Sequence, residues 1–296
     1  MEEGFSNTPY VYKKDHIVKN NFIEEEISYD NFLKNLKIEI FKQETNSIQI
    51  DLINCNYALA NALRRVIISE IKTFSFHNLF VSDNNTIFSD EYIAHRIGLI
   101  PIYFQETEES GTSKDVECIL DVVNKTKENI SVFSQDIKSN NSNLLIKKDV
   151  LICKLAPNHR ISIKLRISEG TGKDHAKWSP VALCSYRLMP QIRLLREFVG
   201  EDAYKLQKCF SKGVIEIETV SEGKEQFVKA VVVDPRKETM SREALRHFSD
   251  EEIELGRVKD YFIFEIETLM EDPLVIFKKG ILQLKQMAID FKKSIE

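Results

Sequence analysis

The first regular pattern of apolar and polar side chains begins near Leu36. Residues 36–43 and 47–53 each alternate apolar and polar positions with a period of two, and the Glu-Thr-Asn of 44–46 between them supplies turn residues. This alternation is typical of half-buried strands. The pattern therefore predicts a β-hairpin. Residues 1–33 are polar and charged instead, and we expect them to form a loosely held N-terminal tail.

The spacing then changes to that of helices. Residues 56–71 predict a helix with Asn56 as its N-cap and one apolar stripe, made of Leu59, Ala62, Leu63, Val66 and Ile67. Residues 72–82 alternate again as a strand. Residues 90–101 then predict a short helix, with Asp90 as a capping residue and with Gly98 and Pro101 ending it.

The middle of the chain, residues 103–250, has a different character. It contains short β-type stretches separated by segments rich in Ser, Asn, Lys and Gly, which predict a β-rich block. The end of the chain resembles its beginning, because a strand over 261–269 precedes a long helix with Pro273 in its first turn. We interpret the outer segments, 34–102 and 251–296, as one α+β domain in which 103–250 is inserted.

The terminal helix carries an apolar seam with alternating spacings of three and four residues. Its members are Leu274, Phe277, Ile281, Leu284, Ala288 and Phe291. This spacing is typical of a helix that packs along a narrow stripe against another element. That element could be the chain's own sheet or the helix of a partner, and the pattern favours neither.

Composition and motifs exclude several kinds of chemistry. The chain has 41 Lys and Arg against 46 Asp and Glu, whereas a protein that binds nucleic acid alone usually has a basic surplus. The five cysteines stand far apart, so no zinc-binding spacing occurs. There is no nucleophile elbow, phosphate-binding loop or apolar stretch long enough to span a membrane. We expect no catalytic residue, no cofactor, no metal ion and no membrane contact.

Three segments in this order carry a resemblance to a known family. They are NALRRVIISEI at 61–71, NNTIFSDEYIAHRIGLIP at 84–101, and DYFIFEIET at 260–268, which leads into the lysine-rich terminal helix. Together they resemble the α-like subunits of cellular RNA polymerases. The residues that we take as the family signature are Asn61, Ala62, Leu63, Asp90, Glu91, His95, Gly98 and Pro101.

The inserted block is similar to one branch of that family. Residues 173–190, 203–218 and 232–247 look like the larger α-like subunit shared by RNA polymerases I and III. The polymerase II counterpart usually carries a clustered-cysteine zinc loop, but the equivalent region here, about 105–120, has only Cys118. Some archaeal relatives carry an iron–sulfur segment, where this chain reads PRKETMSREALR without a cysteine.

The resemblance implies an RNA polymerase α-like dimerisation domain interrupted by the β-rich insertion. It also implies a non-catalytic subunit in the nucleus, including the nucleolus, that assembles polymerases I and III for rRNA, 5S rRNA and tRNA transcription. The expected partners are a small α-like subunit, the two largest subunits and other small subunits, without direct nucleic-acid contact. We expect Arg64, Arg65 and Arg96 to contact the large subunits and the terminal seam to contact the small α-like subunit.

Other functions stay open at this point. The chain could be the corresponding subunit of polymerase II or of a viral polymerase. It could also be a free-standing nucleic-acid-binding protein, which would need a basic face, or a hydrolase with an unrecognised site.

Overall fold

The computed structural model describes residues 10–14, 17–19, 29–105, 116–222, 225–239 and 242–295. The strands are β1 (Tyr10–Tyr12), β2 (Ile17–Lys19), β3 (Lys37–Gln43), β4 (Ser47–Ile53), β5 (Lys72–Asn84), β6 (Ile102–Phe104), β7 (Glu117–Val123), β8 (Ile130–Phe133), β9 (Lys138–Ser139), β10 (Leu144–Ile146), β11 (Leu151–Leu155), β12 (Arg160–Thr171), β13 (Val181–Leu194), β14 (Ile215–Glu222), β15 (Glu225–Val232) and β16 (Ile253–Thr268). The α-helices are α1 (Tyr29–Asn35), α2 (Tyr57–Ser69), α3 (Asp90–Gly98), α4 (Glu201–Cys209), α5 (Ala244–His247) and α6 (Pro273–Ile295). The α+β class is confirmed.

The chain divides into two compact units. The 186–264 unit consists of Met1–Phe41, Gln49–Ala60 and Tyr186–Phe264, and the 61–185 unit consists of Lys42–Ile48, Asn61–Ser185 and Glu265–Glu296. The limits of these two units differ from those of the predicted segments 34–102, 103–250 and 251–296. The predicted domain boundaries stay a prediction.

The largest sheet has six strands in the order β2-β1-β16-β4-β3, and β13 also pairs with β16. The predicted hairpin is confirmed as β3 and β4, which are neighbours in this sheet. Strand β4 alternates buried and half-buried positions over its first half, and Asp51 and Leu52 are both buried. Strand β3 lies at the edge of the sheet, and all its residues are exposed.

Part of the predicted tail belongs to this sheet. Strand β1 pairs antiparallel with β16, with Val11 opposite Gly256, and the Val11 side chain is buried. Three-residue strands are too short to give a recognisable alternation, so their pairing with a strand some 240 residues later leaves no local signal. The rest of the tail as far as residue 28 lies outside the described residues, apart from residues 13–14 and 17–19.

In the 61–185 unit, a four-stranded sheet has the order β5-β12-β7-β9. Strand β12 is its centre and pairs antiparallel with β5 from Lys72 opposite Thr171 to Asn84 opposite Ile161. Every second residue of β12 from Ile161 to Ile167 is buried, as alternation predicts for a sheet with one covered face. The core on that side includes Phe76 and two residues of α3, Ile93 and Ile97, and all three are fully buried.

In the 186–264 unit, the core lies around α4 and the antiparallel hairpin β14–β15. Phe198, Ala203 and Leu206 have no exposed surface there. Helix α4 and strand β13 were not anticipated from the sequence. Gly200, with φ +59°, stands at the N-cap of α4, and this left-handed conformation favours glycine.

Candidate subunit-contact surfaces

The first two turns of α6 pack within the chain. Its buried residues are Pro273, Ile276, Phe277 and Gly280. A Cβ atom added to Gly280 would lie 2.5 Å from Cγ1 of Ile67 and 3.5 Å from Cδ1 of Leu63, so only glycine permits this closeness of α6 and α2. Of the predicted seam, Phe277 therefore belongs to the chain's own core, and Leu274 is half-buried.

The rest of α6 is exposed apart from Gln283 and Leu284, which are half-buried. After Gly280 no side chain of the helix is buried, although this stretch contains seven large apolar residues: Ile281, Leu282, Leu284, Met287, Ile289, Phe291 and Ile295. Leu282 is 64% exposed, Phe291 67% and Ile295 70%. An amphipathic surface helix normally hides its apolar stripe. The stretch 281–295, which we call the exposed α6 segment, therefore has the composition of a contact surface.

A groove of about 600 Å³ runs beside this segment. Leu282 and Ile289 line it from α6, and Ile71 lines it from the end of the α2–β5 connection. Lysines contribute as well, with Lys72 opposite the helix and Lys285 on it. The groove therefore offers apolar surface with cationic edges. The seam spacing did not reveal Leu282 or Ile289, since neither falls on the three-four series.

Helix α2 is fixed by its first residues and by its buried side. The Asn56 Oδ1 accepts a hydrogen bond from the Ala58 N–H at 2.7 Å, which confirms the predicted cap. The buried residues are Ala60, Leu63, Val66 and Ile67. Leu59 is 37% exposed, so its predicted place in the core is wrong. Around the helix axis Leu59 lies on the same side as Leu63 and Val66, so its exposure follows from its position in the first turn of α2 and not from its direction.

The two adjacent arginines of α2 differ in their surroundings. Asn61, one residue of the signature, accepts hydrogen bonds from Arg64 Nε at 3.3 Å and from Arg64 Nη2 at 3.1 Å. Arg64 is half-buried, whereas Arg65 is exposed. Asn61 therefore orients Arg64 along the helix surface, while the Arg65 guanidinium is presented to solvent, where it can meet a carboxylate or carbonyl of another chain.

The connection from β12 to β13 holds the other end of α2. A Cβ atom on Gly172 would lie 2.1 Å from the Ile68 carbonyl oxygen, and the Lys173 N–H donates to the Ser69 carbonyl at 3.0 Å. Ser69 Oγ in turn donates to the Arg65 carbonyl at 2.8 Å. The glycine thus lets the connection close over the helix end. This role was missed, although an isolated glycine between polar residues is the kind of signal that marks close backbone approach.

Arg96 has an internal role. From α3, its Nε donates to the Ile152 carbonyl at 2.9 Å and its Nη2 donates to the Leu151 carbonyl. Both acceptors are on β11, so the guanidinium ties α3 to the core of the 61–185 unit. Its part in a large-subunit contact stays a prediction.

The second half of the signature organises α3. Ser89, not Asp90, is the N-cap, since its side chain accepts from the Tyr92 N–H. Asp90 is the first helical residue and accepts a hydrogen bond from Asn84 Nδ2 at 2.6 Å. Its carboxylate still favours the helix N-terminus through the helix dipole. The helix ends at Gly98 as predicted, and Ser75 Oγ donates to the Gly98 carbonyl at 2.7 Å.

Three more signature residues lie in α3 and after it. Glu91 and His95 are exposed on α3, and Pro101 is half-buried before β6. The Pro101 carbonyl accepts from the Lys147 N–H at 3.0 Å, which helps to align β10 with β6.

Burial is the main cause of the shifts in pKa among the cysteines. Burial raises the pKa of every cysteine thiol, and it raises that of Cys184 to about 12. Within the described ranges, no three His, Cys, Asp or Glu side chains are grouped so that they could hold a metal ion. No described helix is long and apolar enough to cross a membrane.

Comparison with known proteins gives the chain its family. Residues 82–181 match the family model described as the RNA polymerase Rpb3/RpoA insert domain. The protein named DNA-directed RNA polymerases I and III subunit RPAC1 of Homo sapiens is 35% identical over 274 residues, which cover 81% of this chain and 78% of that protein. The protein of the same name from Saccharomyces cerevisiae is 33% identical and covers 90% of this chain and 89% of its own. The chain belongs to the family of α-like RNA polymerase subunits of the polymerase I and III type.

A relative from Dictyostelium discoideum named as the polymerase II subunit rpb3 is 28% identical. Within the α-like family, the predicted resemblance to the polymerase I and III branch is confirmed.

Proposed function

We propose that this chain is a non-catalytic assembly subunit of nuclear DNA-directed RNA polymerases I and III, including those of the nucleolus. It pairs with a small α-like subunit, and the heterodimer forms the platform for the two largest subunits and further small subunits. Two observations support the proposal, namely the family to which the chain belongs and the exposed surfaces of α6 and α2.

The exposed α6 segment carries the proposal. Fully burying one Leu or Phe side chain stabilises a contact by about 1.5–3 kcal/mol, and six large apolar side chains are exposed here, with Leu284 half-buried. A helical partner seated in the neighbouring groove would cover Leu282 and Ile289, which line it from α6. Leu284 and Phe291, seven residues apart, lie on another side of the helix, that of the predicted seam. Phe277 is not part of this contact, because the chain itself covers it.

The arginines of α2 give the second contact. Arg65 is exposed beside the ordered Arg64, and a guanidinium can bind a carboxylate or main-chain carbonyls through two parallel hydrogen bonds. We assign these two residues to a large subunit. Since Arg96 is held by β11, its contribution is to keep α3 in position.

An affinity purification of the tagged full chain tests both contacts. Leu284→Ala and Phe291→Ala should each weaken pairing with the small α-like subunit by about 10-fold or more, since about 1.4 kcal/mol corresponds to a factor of ten. Phe80→Ala is the matched control, because Phe80 is exposed to a similar degree on β5 of the same unit. Retained pairing in Phe291→Ala would contradict the assignment.

Arg65→Ala should leave the heterodimer intact and reduce recovery of a large subunit. The control is Arg166→Ala, an exposed arginine of the same unit that pairs with Glu117 at 3.0 Å. Recovery of large subunits of both polymerases I and III with the unaltered chain would support the proposal. Recovery of polymerase II subunits alone would overturn it.

A further inference from the structure

A second pocket, of about 350 Å³, lies within the 186–264 unit. Three cationic residues line it: Arg187 on β13, Lys237 at the end of the turn at 235–237, and Arg257 on β16. Leu188 and Pro190 form an apolar part of the wall. Its size is in the range of pockets that take a small ligand or a few side chains. None of the subunit contacts proposed above involves this pocket.

The charges around the pocket favour an anion. Glu238 is the one acidic residue of the lining, and Asp234 beside it pairs with Lys237 at 3.3 Å, so three cations face two carboxylates and a surplus of about +1 remains. The Glu238 side chain is buried, and its Oε2 accepts a hydrogen bond from the Ser211 N–H at 3.1 Å. The Nε of Arg257 is buried, and the structure gives it no hydrogen-bond partner. A buried donor of this kind normally has an acceptor.

The pocket wall is already rigid. Arg236, next to Lys237, is buried and donates to both carboxylate oxygens of Asp51, at 2.7 and 2.8 Å. Tyr261 also donates to Asp51, at 2.8 Å. The Arg236 carbonyl accepts from Arg187 Nη2 at 2.8 Å, so the same residue fixes both the turn and one cation of the pocket. A site ordered in advance loses little freedom when it binds.

We propose that this pocket binds a carboxylate side chain from an acidic segment of a neighbouring polymerase subunit. A single oxyanion would leave much of the volume empty, whereas a peptide segment can also contact Leu188 and Pro190. The proposal rests on the proposed function only in that the neighbouring chain is a polymerase subunit.

Zero-length cross-linking of the purified assembly tests it. A carbodiimide joins an amine to a carboxylate in direct contact, and we expect mass spectrometry to find Lys237 joined to an Asp or Glu of another chain. Arg187→Gln, at the exposed rim, should lower the yield of this cross-link at least 10-fold, and Arg187→Gln with Arg257→Gln should abolish it. Arg246→Gln, an exposed arginine of the same unit, is the control and should change nothing.

Several results would overturn the proposal. If the assembly forms but Lys237 joins only Asp234 of its own chain, 3.3 Å away, the pocket has no such partner. An unchanged yield in both variants would have the same meaning. Binding of inorganic phosphate to the full chain in calorimetry, lost in the Arg187→Gln variant and without an inter-chain cross-link, would assign the pocket to phosphate instead. Failure of the assembly itself to form would contradict the proposed function.

Discussion

The close approach of α6 to α2 at Gly280 can be tested with a single methyl group. By helix propensity alone, Gly280→Ala should stabilise the chain by about 1 kcal/mol. In the structure, however, the new Cβ would lie 2.5 Å from Ile67 Cγ1, about 1 Å closer than carbon atoms approach at their optimum. Overpacking of a core costs about 1–3 kcal/mol. We therefore expect a net destabilisation of about 1 kcal/mol.

A double-mutant cycle separates the clash from other effects of the substitution. Ile67 is fully buried, so Ile67→Ala alone should cost about 2–5 kcal/mol. It also removes the atoms that the new methyl group would meet. In the Ile67→Ala background, Gly280→Ala should therefore be neutral or stabilising, which gives a coupling energy of about 1–3 kcal/mol.

The measurement is equilibrium urea unfolding of the full chain, followed by circular dichroism. Val66→Ala is the matched background, because it also shortens a buried side chain of α2 but removes no atom near Gly280. There, Gly280→Ala should cost as much as in the unaltered chain. The reasoning is refuted if Gly280→Ala stabilises the chain on its own, or if its effect is the same in all three backgrounds.

Three further predictions concern charges and thiols. Asp51→Ala leaves the buried Arg236 guanidinium unpaired and should lower the free energy of unfolding by about 3–5 kcal/mol, measured by thermal unfolding. Asp121→Ala, which breaks the exposed pair with Arg160, should lower it by less than about 1 kcal/mol. Equal losses in the two variants would contradict this reasoning. Burial, followed by the hydrogen bond to Asp51, raises the pKa of Tyr261 to about 12. The stability that this shift contributes is therefore complete below about pH 10 and is lost as the pH rises towards 12, so Tyr261→Phe should flatten the alkaline decline in urea stability. Alkylation of the native chain followed by mass spectrometry should modify Cys209, which is half-buried, well before Cys184, whose pKa is about 12; a reversed order would show that burial does not control these thiols.

The parts of the fold that were predicted correctly depend on local periodicity. The β3–β4 hairpin, α2, α3 and the start of α6 each contain enough residues to show a period of two or of 3.6. Strand β1 and helix α4 were missed for the opposite reason. Three residues show no period, and α4 has a polar surface with only two fully buried residues, Ala203 and Leu206.

The candidate site was predicted less completely than the fold. A seam spacing identifies which side of α6 is apolar, but it does not reveal where the chain's own cover ends. That limit is set at Gly280 by its packing on Ile67, a contact between residues more than 200 positions apart. Likewise, an arginine pattern does not distinguish Arg65, which faces solvent, from Arg96, which holds two carbonyls of β11.

This division of α6 explains how one helix can serve both the chain and a partner. Its buried turns, through Gly280, are held tightly against α2, so the direction of the whole helix is set by contacts inside the 61–185 unit. A segment of about 15 residues would be only marginally helical if isolated in water. Joined to fixed turns, the exposed α6 segment needs no separate nucleation, and it can meet a partner as a helix already oriented. The entropy lost on ordering, which usually weakens coupled folding and binding, is then small, and this suits the contact with a small α-like subunit proposed above.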